Sequence, residues 1–98
     1  MRQPAPQLTA AETRARVAAL RAVSRAKQSS FDAARDAFAE ALRLDPMLKL
    51  TSIPDFWTLP KEAHQAAIDA YESEGREHEA AILMAMRRRM FKPRLMSE

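Results

Sequence analysis

The side chains able to do chemistry are few. The chain of 98 residues has no cysteine and two histidines, so thiol catalysis, disulfides and thiolate metal sites are excluded from the start. His64 and His78 lie 14 residues apart in different predicted helices. His78-Glu79 opens the spelling of a zinc-protease helix, but position 82, where the second histidine belongs, is Ile82. Both histidines read as surface or helix-end residues. Glu72, Glu74, Glu77 and Glu79 crowd around Gly75 as a solvated acidic corner, with nothing to pair two of them in an apolar setting. A glycine-rich phosphate loop and a nucleophilic serine elbow are also missing. The expectation is a non-enzyme without cofactor or metal.

Guanidinium groups are the second chemistry available. Arg87, Arg88 and Arg89, followed by Lys92 and Arg94, form a cationic run without a carboxylate. Residues 1–27 add Arg2, Arg14, Arg16, Arg21, Arg25 and Lys27 against Glu12 alone. Clustered cations can displace counterions from nucleic acid. Consecutive helical residues, however, point about 100° apart and do not share a face, and cations also suit the negative pole of a helix end. Nucleic-acid binding through helix one and the 87–94 run is therefore the second reading. Contact of a basic amphipathic tail (Met90, Phe91, Leu95, Met96) with a membrane is not expected.

The third chemistry is adaptable apolar contact. Met84, Met86 and Met90, with Ile82, Leu83 and Phe91, cover more than one side of the last helix. Thioether side chains suit such pliable interfaces. Met84, Met86, Met90, Phe91, Arg14, Arg21, Arg25, Arg87 and Arg88 are the residues proposed for partner contact.

These groups must be carried by helices. Alanine is abundant, glycine occurs once, and no stretch alternates apolar with polar, which argues for an all-α protein. Phe31, Ala34, Phe38, Ala41 and Leu42 step by three and four and draw one stripe on a helix. Asp45-Pro46 ends that helix, because the residue before proline is pushed out of helical geometry. Thr9-Ala10-Ala11-Glu12 is a capping box that starts an earlier helix. It runs through Val17, Leu20 and Val23, and either Ser29 or Ser30 is placed to cap the next one. Pro60 opens a third helix and Gly75 closes it in a left-handed position. The expected helices are 9–27, 30–44, 60–74 and 76–91, forming two antiparallel hairpins. Residues 1–8 read as a flexible arm, 9–91 as one domain and 92–98 as a basic tail. Between the hairpins, Met47 to Leu59 is too apolar for a solvated loop. It is expected to be an ordered connector that lays Phe56 and Trp57 against the helices. The basic first helix is expected to face the acidic third.

Ala34, Phe38 and Pro46 reproduce the alanine, aromatic and proline spacing of the second helix of a tetratricopeptide repeat, and this part of the chain resembles that family. Tyr71, Gly75 and Ala80 sit at the matching places of the second hairpin. Helix one departs from the pattern, with Ala18, Arg21, Ala22 and Arg25 where the family has Trp, Leu, Gly and Tyr. Ala34 and Ala80 are 46 residues apart, against about 34 for tandem repeats, and the connector accounts for the difference. The resemblance implies two repeats with an insertion. It also implies a partner groove lined by helices one and three, with Arg14, Arg21 and Arg25 beside Asp69 and Glu72. It points to a protein–protein interaction module, scaffold or small subunit, binding another protein or a second copy of itself. Without a signal-peptide-length apolar run or a stretch of the ~20 residues that span a bilayer, the expected location is the cytoplasm.

Overall fold

A computed structural model describes residues 8–90, with Met90 described in its backbone only. The chain is all-helical: α1 (Ala10–Lys27), α2 (Phe31–Leu44), α3 (Lys61–Ser73) and α4 (Glu77–Met90), with no strand among the described residues. Single helical turns at Leu50–Ser52 and Phe56–Thr58 organise the connector. None of these helices is long and apolar enough to cross a membrane. Residues 1–7 of the expected arm, the 92–98 tail and Phe91 lie outside the described residues.

The capping box at the start of α1 is complete. The Thr9 hydroxyl accepts from the Glu12 N–H at 3.0 Å, and the Glu12 carboxylate accepts from the Thr9 N–H at 2.8 Å. At the other end, the Ser29 N–H donates to the Ala26 carbonyl and the Ser30 N–H to Arg25, with Ser29 left-handed at φ 63°. The end of α3 repeats this arrangement. The Gly75 N–H donates to Glu72 and the Arg76 N–H to Tyr71, with Gly75 at φ 76°. Both are Schellman closures, and Ser29 and Gly75 are 46 residues apart, the same offset as Ala34 and Ala80. The ends of α1 and α3 thus share one closure. The serine cap does not form. Ser30 occupies the N-cap of α2, but its ψ of 74° falls well short of an extended value, and its hydroxyl makes no capping bond.

The helices pack in chain order, α1 on α2, α2 on α3 and α3 on α4, while α1 meets α3 only slightly. Small residues let α1 and α2 approach: Ala15, Ala18, Ala19, Ala22 and Ala26 are buried on one side, and Ala34, Ala37 and Ala41 on the other. Val17 and Leu20, the other large apolar residues of α1, are 50% and 53% exposed. Five alanines and Val23 already fill the α2-facing side, and the 3.6-residue period turns Val17 and Leu20 to the opposite one. Phe38 and Leu42 are fully buried, and the Phe38 ring meets Phe56 of the connector edge-on at 6.2 Å. The space in front of α2 is therefore filled by the connector as well as by α3.

Candidate functional site: the clamped connector and the faces around it

The connector begins where Asp45 ends α2. The Asp45 carboxylate accepts from the Met47 N–H at 3.0 Å, and its carbonyl accepts from the Leu48 N–H, which turns the chain sharply. Leu50, Ile53, Phe56 and Leu59 then enter the core, with Leu48 and Trp57 half-buried against it. The order expected of this segment is present, and two side chains of α3 hold it. The Nε2–H of His64 donates to the Phe56 carbonyl at 2.9 Å; a carbonyl can only accept, so Nε2 must carry the proton. The Tyr71 hydroxyl oxygen accepts from the Leu50 N–H at 3.1 Å. Burial holds the phenol above its ordinary pKa, with the Leu50 hydrogen bond opposing the shift.

His64 corrects the sequence reading. It is not a surface histidine but is wholly buried, its ring 4.9 Å from Phe56 and 5.2 Å from Trp57. Desolvation is the main cause that pushes its pKa below the ordinary value; the Phe56 hydrogen bond opposes this and the Arg87 charge adds to it. A neutral imidazole with a fixed tautomer is a structural clamp. His78 is exposed, as expected. Among the described residues no group of His, Asp and Glu is arranged to hold a metal ion.

Arg76 adds a third tie. Its guanidinium donates to the Pro46 carbonyl and to the Glu79 carboxylate at 3.0 Å, and it lies 5.9 Å from the centre of the Tyr71 ring. The Arg76 hydrogen bond is the main cause that holds the Glu79 carboxyl below its usual range.

The connector reaches from α1 to α3. Lys27 of α1 pairs with Asp55 at 3.4 Å, while Leu50 and Phe56 bond to α3. This overturns the expected groove between helices one and three, since the connector occupies it. It also overturns the expected pairing of charges. Arg21 meets Glu40 of α2 at 3.6 Å. Asp69 and Glu72 line an open cleft of about 680 Å³ together with Arg35, Asp36 and Arg43 of α2, and Arg43 pairs with Glu74 at 2.7 Å. The ion pairs that α1 and the end of α3 form are thus made with α2 and the connector rather than with each other.

The other partner residues fall on two faces. Arg14 and Arg25 are exposed on α1. On α4, Leu83 is buried, Ile82 and Met84 are 47% and 37% exposed on opposite flanks, and Met86 is half-buried. A shallow groove of about 300 Å³ separates α4 from the connector, lined by Lys49, Thr51, Tyr71, Ile82 and Met86. The arginine run divides as helical geometry requires. Arg87 folds back to donate to Gln65 of α3 at 2.7 Å, while Arg88 and Arg89 are exposed. The side chains of Met90 and Phe91 lie outside the described residues. No family model, curated protein or solved structure matches the chain.

Proposed function

We propose that the chain is a non-catalytic protein–protein interaction module of two degenerate tetratricopeptide-like repeats, acting in the cytoplasm as a scaffold or small subunit. One observation carries this reading. α2 is enclosed between α1 and α3, whereas α4, 46 residues on, packs mainly on α3 and exposes part of the equivalent side. Phe38 is fully buried while its counterpart Met84 is 37% exposed, and buried Ala39 corresponds to exposed Ala85. A stack of two repeats falls short of the three or more that usually sustain a repeat array, and another chain seated on Met84 and Ala85 would complete it.

Light scattering at rising concentration, combined with capture of partners from the native host, tests this. The expected result is a mass above that of the monomer, or a recovered partner, that Met84→Glu removes without lowering the helix content. A strict monomer that recovers nothing sensitive to Met84→Glu overturns it. The nucleic-acid reading through helix one and the Arg87–Arg94 run draws on Arg88 and Arg89 alone among the described residues of that run, because Arg87 is engaged by Gln65. Steep loss of binding to a generic DNA or RNA resin with rising salt would restore it.

A further inference from the structure

The solvent side of α1 is organised in rows. Thr13, Val17, Leu20 and Ser24 follow steps of four, three and four, so they form one uncharged stripe along the helix. All four are exposed. Arg14, Arg21 and Arg25 border the stripe on one side and Arg16 and Lys27 on the other, as the 3.6-residue period dictates. Arg21 and Lys27 are paired with Glu40 and Asp55. Arg14, Arg16 and Arg25 have no ion pair among the described residues. Beside the middle of the stripe is a mostly apolar recess of about 130 Å³, lined by Ala19, Leu20, Leu48, Ile53 and Pro54 together with Arg16 and Ser52. A cavity of about 150 Å³ takes a benzene ring, so this recess suits one leucine- or phenylalanine-sized side chain.

We infer that this face of α1 binds an acidic amphipathic helix of another protein, which seats one large apolar side chain in the recess and sets carboxylates against Arg14, Arg16 and Arg25. An uncharged row, apolar at Val17 and Leu20, between two cationic rows is the complement of such a helix, and laying an amphipathic helix against an apolar site is a common mode of peptide recognition. Nucleic acid fits less well, because the centre of the face is uncharged. A lipid surface would meet the stripe but leave the recess without a role. The inference concerns α1 and not α4, so it stands or falls separately from the repeat-end reading.

The test uses a dye-labelled synthetic peptide with leucines along one helical face and glutamates on both edges, read by fluorescence anisotropy on the full chain. Controls are the same peptide with serine for the central leucine, the same peptide with lysine for glutamate, phosphatidylserine vesicles and a DNA duplex. Saturable binding of the leucine–glutamate peptide is expected, weakened about tenfold by Leu20→Ser and by Arg16→Glu, and lowered by salt. Both residues are exposed, and a thermal melt of each variant controls for any loss of folding. Absence of binding overturns the inference, as does equal binding of the serine or lysine peptide. Tighter binding to the vesicles or the duplex than to the peptide overturns it in favour of that surface.

Discussion

His64 and Tyr71 lie seven residues apart on α3 and so share one face of it, and each bonds the backbone of the connector, His64 at Phe56 and Tyr71 at Leu50. Two turns of helix thereby fix two points of a segment that has only isolated helical turns of its own. Tyr71→Phe keeps the ring and removes the acceptor, leaving a buried Leu50 N–H without its partner. The expected cost is about 1–3 kcal/mol, read as a fall in melting temperature of about 4–8 °C per kcal/mol for a domain of this size. An unchanged melt would mean that the bond does not hold the connector.

The His64 clamp makes stability depend on pH in a defined direction. Desolvation lowers its pKa in the fold, so between that value and the unfolded value of about 6.5 the unfolded chain binds more protons. The stability contributed by neutral His64 is present above about pH 6.5 and is lost as pH falls toward the folded pKa. Thermal melts taken through this range should fall toward acid, and His64→Gln should flatten the slope. Trp57, the sole tryptophan, stands 5.2 Å from the imidazole, and its emission should shift to the red in step. A slope retained in His64→Gln assigns the effect to another group.

How legible this was differs by element. The stripe from Phe31 to Leu42, the Thr9 capping box and the Gly75 stop all depend on neighbours within one or two turns, and local spacing reveals them. The burial of His64 does not. Its partner is the Phe56 carbonyl, eight residues upstream across a proline, and a backbone acceptor leaves no mark in a sequence. The one available signal was position: His64, Ala67, Ile68 and Tyr71 recur at helical spacing on a single side. The groove expected between helices one and three failed for a related reason. The family resemblance concerns helices, and it carries no information about where an insertion will pack. The apolar content of the connector did show that it would be ordered, but not that it would displace the groove.

Phe38 tests how the two hairpins are joined. It is fully buried on α2 and meets Phe56 edge-on at 6.2 Å, so one ring serves α2 and the connector together. Phe38→Ala should cost about 3–5 kcal/mol, as large core truncations do, and it should also release the Trp57 environment. A melt that moves while Trp57 emission in the folded state stays fixed would show that the connector is held by α3 alone.

The matched closures at Ser29 and Gly75 call for opposite substitutions. Both residues are left-handed, at φ 63° and 76°, a region that carries a penalty of roughly 1–2 kcal/mol for a side chain with Cβ. Ser29→Gly removes that penalty and adds the larger unfolded-state freedom of glycine, for a net gain of about 0.5–1 kcal/mol. Gly75→Ala introduces the penalty without a clash, since an added Cβ meets no atom within 4 Å; with the reduced unfolded-state freedom set against it, the expected loss is about 0.5–1 kcal/mol. Denaturant midpoints should therefore move in opposite directions at unchanged slope. Because the two closures share the same hydrogen-bond pattern and the same 46-residue offset as Ala34 and Ala80, a loss at Ser29→Gly would break the equivalence of the hairpins at its most closely matched point.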